Sequence, residues 1–147
     1  IEQLALKGKY LELPYTVKGM NLAFSGLFTA VSKKIPSNSK EDLCHSLQET
    51  VFAMLCESTE RALTLTNKQE VMVCGGVAQN KRLQQMLLEM AKEHGAKFGA
   101  APNEFNADNG AMIAYTGEIL YERGILNKLE DCKPRQKYRS DEVKLRN

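Results

Sequence analysis

Three places in the sequence carry residue types that could do chemistry. The first is Gly75-Gly76-Val77-Ala78-Gln79-Asn80, which follows the compact apolar run from Glu70 to Cys74 and precedes an amphipathic stretch. Glycines at the C-terminal end of a strand let a ligand approach the backbone closely. A helix starting after them presents unpaired N–H groups and the positive end of its dipole, which suits a phosphate or the polar edge of a nucleobase. The segment is neither a Walker A loop nor a Gly-x-Gly-x-x-Gly fingerprint. A tight strand-to-helix turn capped by Asn80 explains the same residues, so both readings stay open. The second place is Asp108-Asn109-Gly110-Ala111-Met112-Ile113-Ala114. On residue types alone Asp108 reads as a helix N-cap. The functional alternative is an anionic oxygen at the rim of a cleft, a ligand for a metal ion or a magnesium–phosphate. The third is Glu2, which by itself reads as an exposed helical glutamate.

The elements that must position these residues follow from periodicity and breakers. Ile1 to Leu6 reads as the last turns of a helix stopped at Gly8, and Leu11 to Val17, with Pro14, as an extended connector or edge strand. Leu22 and Phe24 alternate as in a short strand, and Ser25 is placed to cap a helix that Pro36 ends after Ile35. Ser39 with Asp42 resembles a capping arrangement. Leu43, Leu47, Val51, Met54, Leu55, Ala62 and Leu63 then recur at helical spacing as far as Asn67, which suits a left-handed cap. Glu70 to Cys74 reads as a buried parallel strand. The helix from Lys81 to about His94 carries the stripe Leu83, Met86, Leu87, Met90 and Ala91, with Gly95 as its stop. Lys97 to Ala100 is a second strand, and Asp108 opens a helix that runs to Gly124. Strands alternating with helices argue for an α/β layer fold with parallel pairing.

Composition narrows the class. With 147 residues, 43% hydrophobic and 26% charged, the chain is long enough for one domain with a core and too apolar to be disordered throughout. No run approaches the ~20 apolar residues of a membrane span, and no signal peptide is visible, so a cytoplasmic protein without a membrane partner is expected. The chain begins with Ile1, which points to processing or to a piece of something longer. Cys44, Cys56, Cys74 and Cys132 form no Cys-x-x-Cys pair and read as reduced thiols. His45 and His94 lack the spacing of a histidine-rich metal site, and His94 suits the end of a helix dipole. The net charge of +2 is small, but Lys133, Arg135, Lys137, Arg139, Lys144 and Arg146 crowd the last fifteen residues. That strip reads as a solvated tail or as a phosphate-contacting surface. A domain over residues 1–127 with a basic tail over residues 128–147 is the expected organisation.

Taken in order, four segments are specific. They are Val17-Lys18-Gly19-Met20-Asn21-Leu22-Ala23-Phe24-Ser25-Gly26-Leu27, then Gly75 to Leu83, then Asp108 to Gly117, then Gln136-Lys137-Tyr138-Arg139-Ser140-Asp141-Glu142-Val143. In this order they closely resemble the catalytic subunit of the KEOPS complex, in the archaeal and eukaryotic branch of the tRNA threonylcarbamoyladenosine synthase family. The resemblance covers nearly all of the chain but only about the second half of a family member. It implies an actin/hexokinase-like (ribonuclease H-like) α/β fold, of which this is the C-terminal half. It implies a transferase that moves threonylcarbamoyl from its adenylate to the exocyclic amine of the adenosine next to the anticodon. Glu2 and Asn80 match residues that contact the nucleotide, ATP or the adenylate. Gly75 and Gly76 match positions that leave room for it, and Asp108 matches a ligand of an iron or zinc ion. The family has an aspartate where this chain has Asn21, which receives no role.

The remaining ligands of that ion include a His-x-x-x-His pair in the other, N-terminal domain, and this chain has no such pair. The chain is therefore expected to hold part of the site and to be inactive in transfer alone. The implied partners are tRNA, the N-terminal domain, an atypical small protein kinase and other KEOPS subunits. Two other functions fit the same residues: a non-catalytic docking module for that kinase, and a small-molecule kinase of the actin/hexokinase-like kind.

Overall fold

The computed structural model describes residues 1–107, 110–134, 136 and 137. The chain forms two compact units, Ile1–Ala107 and Asp108–Asn147.

In the first unit the organising element is a 27-residue helix. Before it come helix α1 (Glu2–Ala5), an extended connector, strands β1 (Val17–Lys18) and β2 (Asn21–Leu22), and helix α2 (Phe24–Lys34). The long helix is α3 (Lys40–Thr66). Ser39 caps it by accepting the Asp42 N–H at 3.0 Å, the arrangement expected from the sequence. Asn67 ends it in the left-handed region, φ 51°, and the Lys68 N–H closes on the Leu63 carbonyl at 3.1 Å. Strand β3 (Glu70–Val73), helix α4 (Lys81–Glu93) and strand β4 (Lys97–Ala100) follow as a strand–helix–strand unit. β3 and β4 pair in parallel, with Val71 beside Phe98 and Val73 beside Ala100. The expected parallel order is thus present.

Two apolar clusters hold this unit together, and α3 contributes to both. Phe52 and Leu63 pack with Leu83, Leu87 and Met90 of α4, with Val71, Val73 and Phe98 of the strands against them. On another side Met54 packs with Leu13 and Leu27, backed by Val17, Leu22 and Val31. Val51 borders both clusters. A helix that buries two faces has no single apolar stripe, which is why its apolar positions do not fall on one i, i+3, i+4 line.

Three expectations are corrected here. β3 is not buried on both sides: Val71 and Val73 face the helices, but Met72 is 73% exposed. Among the described residues the sheet has only two strands, with α3 and α4 on one face, so its pleat alternates inward and outward. Ser25 is not the cap of α2. Ala23 precedes the helix and is fixed across the hairpin by Thr16, whose Oγ1 donates to the Ala23 carbonyl at 2.7 Å and whose carbonyl accepts the Ala23 N–H at 3.0 Å. The chain therefore enters the helix at Phe24, not after Ser25, and β2 ends at Leu22. Gly8 is required for packing rather than as a left-handed stop. A Cβ there would run into the Glu41 carbonyl and the His45 Cβ of α3.

The connector after Gly8 is pinned to α3 by hydrogen bonds that no periodicity announces. Ser46 is fully buried; its Oγ accepts the Leu11 N–H at 2.6 Å and donates to the Asp42 carbonyl at 2.6 Å. The Asp42 carboxylate accepts the Lys9 N–H at 2.6 Å, and that bond, with the Ser39 hydroxyl, holds its pKa below the ordinary value. Between α3 and α4, Arg82 donates through Nε and Nη2 to the two oxygens of Glu49, at 2.8 and 2.7 Å. The four cysteines are free thiols, as read from their spacing. Burial raises Cys56 to about 11, so it stays protonated, while Cys74 and Cys132 are exposed.

In the second unit α5 spans Gly110–Glu122, with Gly124 in the left-handed region just after it, and a 3₁₀ turn covers Leu129–Asp131. The boundary drawn from composition at 127/128 falls within this unit. Arg135 and residues 138–147, which carry most of the basic strip, lie outside the described residues.

Ser46→Ala leaves the Leu11 N–H buried without its acceptor. It should lower stability by about 1–3 kcal/mol, read from urea unfolding. Glu49→Gln tests the cross-link by pH. The Arg82 hydrogen bonds depress the Glu49 pKa below its ordinary 4.5. The stabilisation is therefore complete above pH 4.5 and lost as pH falls through the lower folded value. Wild type should exceed Glu49→Gln by up to about 1 kcal/mol at pH 7, since the pair is only partly buried. The gap should close in acid.

Candidate nucleotide-binding site

β3 ends at Val73 and the chain must turn sharply to start α4. Gly75 makes that turn at φ 98°, ψ 171°, a conformation that side chains with a Cβ rarely adopt. A 3₁₀ turn over Gly76–Gln79 follows, and Asn80, in extended conformation, opens α4. The Asn80 Oδ1 accepts the N–H groups of Arg82 at 2.9 Å and Leu83 at 3.2 Å. Asn80 is therefore an N-cap in fact. The capping alternative raised by its position is realised, and any ligand role comes in addition to it.

Glu2 reaches the same place from the start of the chain. Its Oε1 accepts the Lys81 N–H at 3.1 Å, between residues 79 apart in sequence. The first-turn N–H groups of α4 are thus taken by Glu2 and Asn80. This corrects the expectation that the helix offers them unpaired to an anion. What it offers a ligand is a carboxylate and an amide held by those N–H groups. The carboxylate gains from the positive end of the helix dipole. The Asn80 Nδ2 donates to Gln48 Oε1 of α3 at 3.1 Å, and Gln48 is itself buried.

Sequence reasoning missed two residues of this arrangement. Gln48 lies among the polar positions of a long helix and gives no signal alone. Asn106 sits in the loop after β4 and is 4% exposed. Its Oδ1 accepts the Gly75 N–H at 3.0 Å and its Nδ2 donates to the Ala101 carbonyl at 2.8 Å. One amide side chain thereby ties the glycine turn to the end of the neighbouring strand. A polar residue in a loop is ordinary in sequence; only its burial marks it out.

A cleft of about 710 Å³ opens beside this turn. Glu2, Gln48, Gln79 and Asn80 form its polar edge, with Gly76 among the lining residues. Phe24, Phe28 and Val31 of α2 and Val51 and Phe52 of α3 form its apolar walls. Gly75 shapes the turn without lining the cleft. Apolar walls with a few convergent polar groups at one end suit a flat, amphipathic ligand such as a nucleoside. Asp108 lies outside the described residues. Among the described residues no three His, Cys, Asp or Glu side chains gather as a metal site.

A parallel strand pair that feeds a helix through a glycine turn, with the cleft at the strand's C-terminal end, is the arrangement of an α/β ligand-binding domain. The crystal structure of T. kodakarensis HypF shares this fold, with a TM-score of 0.64 and 25% identity over 86% of this chain and 17% of that one. The family model for tRNA N6-adenosine threonylcarbamoyltransferase matches residues 1–115, and the chain belongs to that family. A Thermococcus kodakarensis protein named tRNA N6-adenosine threonylcarbamoyltransferase is 53% identical over 99% of this chain. A Methanothermobacter thermautotrophicus protein named "Probable bifunctional tRNA threonylcarbamoyladenosine biosynthesis protein" is 54% identical over 97% of it. The chain spans 46% of the first relative's length and 27% of the second's.

The cap made by Asn80 can be separated from its candidate role toward a nucleotide. Asn80→Ala loses the cap and should cost about 1 kcal/mol in thermal unfolding. Asn80→Ser keeps an acceptor for the cap and should recover most of that loss. It has no amide to reach Gln48, so nucleotide affinity, read by calorimetry on the full-length protein, should stay as low as in Asn80→Ala.

Proposed function

We propose that this chain is the C-terminal half of a two-domain tRNA N6-adenosine threonylcarbamoyltransferase, and that its cleft holds the nucleotide part of ATP or threonylcarbamoyl-adenylate. The observation that carries the reading is the meeting of Glu2 and Asn80 at the start of α4, at the polar edge of an apolar-walled cleft. The family resemblance pairs these two residues with nucleotide contacts, and they lie 78 positions apart in the sequence. In this reading the base lies between the apolar walls from α2 and α3. The Glu2 carboxylate and the amides of Asn80 and Gln48 meet hydroxyl and amino groups at the open end. Gly76 keeps that end free of a side chain, and Gly75 makes the turn that brings it there.

In the reaction the exocyclic amine of the tRNA adenosine attacks the carbamoyl carbonyl of the adenylate. The bond from that carbonyl carbon to the phosphate oxygen breaks, AMP leaves, and the amine loses a proton. The part of this chain is to bind and orient the adenylate so that its carbonyl faces the tRNA. One iron or zinc ion belongs to the same reading, with Asp108 as one ligand and the others in the N-terminal domain. When bound it would supply a Lewis acid. The described residues form no ligand set for it by themselves. The N-terminal domain completes the cleft. The atypical small kinase and other KEOPS subunits are the proposed protein partners, in the cytoplasm.

Threonylcarbamoyl transfer to tRNA by the full-length protein tests this directly. Asn80→Ala and Asp108→Ala should each reduce transfer at least a hundredfold while thermal unfolding shifts by no more than the loss of a helix cap. Full transfer in Asp108→Ala, with stability alone reduced, would show that Asp108 is a cap and not a ligand.

A further inference from the structure

On the other side of α3 lies a second cavity, of about 470 Å³, that the nucleotide reading does not use. His45, Glu49 and Ala53 stand one turn apart and line it, whereas Leu47 and Val51 of the same helix line the cleft. The opposite wall is the connector, through Tyr10, Leu13 and Tyr15. Leu13 is buried, but Tyr10 and Tyr15 are 55% and 53% exposed. Large aromatic rings half in solvent around a hollow are a stacking platform, since the core already has Leu13 as its anchor. Lys7, Lys9 and Lys18 are exposed on the same twelve-residue stretch, against the single acid Glu12. Cations interleaved with aromatics match a polyanion that carries flat bases.

The polar groups of the cavity narrow the ligand further. The Tyr10 hydroxyl lies 3.5 Å from Thr50 Oγ1, which places the ring over the cavity beside α3. The His45 Nδ1 is 2.9 Å from the Ala5 carbonyl, which can only accept, so Nδ1 carries a proton and Nε2 is the ring nitrogen left for a ligand. The Glu49 carboxylate gives two lone pairs to Arg82 and has others left. Those remaining lone pairs give the exocyclic amine of a base an acceptor in the cavity.

We infer that Tyr10 and Tyr15, with the cavity between the connector and α3, dock a single-stranded loop segment of the tRNA substrate, outside the reacting adenosine. The tyrosines stack unpaired bases, the cavity takes one amine-bearing base, and Lys7, Lys9 and Lys18 meet the phosphates. This rests on the tRNA reading above and assigns it a surface.

The test uses the full-length protein and a fluorescent anticodon stem-loop RNA, with binding read by anisotropy. Tyr10→Ala and Tyr15→Ala should each weaken RNA binding roughly tenfold. They should raise the KM for tRNA by a similar factor and leave kcat and nucleotide affinity within about twofold. Tyr10→Phe and Tyr15→Phe should bind like wild type, because the ring and not the hydroxyl stacks. Lys7→Ala with Lys9→Ala, both on the surface, should reduce the slope of log affinity against log salt by roughly 1.4, about 0.7 for each phosphate no longer neutralised. RNA affinity unchanged in both the alanine and lysine variants overturns the inference, and so does loss of a protein partner with RNA binding intact. If wild type binds RNA through the tyrosines but transfers nothing to tRNA, the docking surface stands and the transferase reading falls.

Discussion

Both apolar clusters of the first unit are built on α3, and that one helix decides where the functional residues can be. It is 27 residues long, about 40 Å, and it buries two separate faces. One face takes the parallel strands and α4; the other takes the connector, the hairpin and α2. The cleft exists because α2 and α4 approach α3 from different sides and leave a trough between them, floored by Val51 and Phe52. The bonds through Ser46 and Asp42 keep the connector in place. α1 itself packs directly on α3, where the His45 Nδ1 meets the Ala5 carbonyl at 2.9 Å, and this holds Glu2 near α4.

The candidate site is built by saturating a helix start rather than by leaving it open. A free first turn attracts water or any anion. Here the donors of that turn are spent on Glu2 and Asn80, which fixes both side chains and leaves their remaining capacity facing the cleft. Asn106 does the same for the preceding turn by holding the Gly75 N–H. Orientation is thus supplied by backbone groups that need partners anyway. In the proposed function the cap and the nucleotide contact are two duties of one amide, so a loss of activity in Asn80→Ala mixes stability with binding unless a second substitution separates them.

Much of the secondary structure was legible because it rests on local chemistry. The Ser39 cap, the left-handed Asn67 and the stop at Gly95 each depend on residues within a few positions of one another. The misreadings share a cause. Ser25 has the right type for a cap, but the partner that sets the helix start is Thr16, across the hairpin. Gly8 looks like a stop signal, but its constraint is the Glu41 carbonyl on α3. The strand from Glu70 looks buried by composition, but how many faces are covered depends on which layers exist.

The amino-acid order by itself determined the helices and strands, the glycine turn after β3 and the family to which the chain belongs, since the motifs that carry that membership are contiguous. It also marked Gly75, Gly76 and Asn80 as a turn that could face a ligand. Only the tertiary structure decided that Glu2 meets α4, that Gln48 and Asn106 support the turn, and that the tyrosines of the connector frame a second cavity. Those contacts join residues 30 to 80 positions apart. Side-chain period and capping preference act over one or two turns, so they carry no information about pairing at that range. It is set by which apolar faces α3 buries.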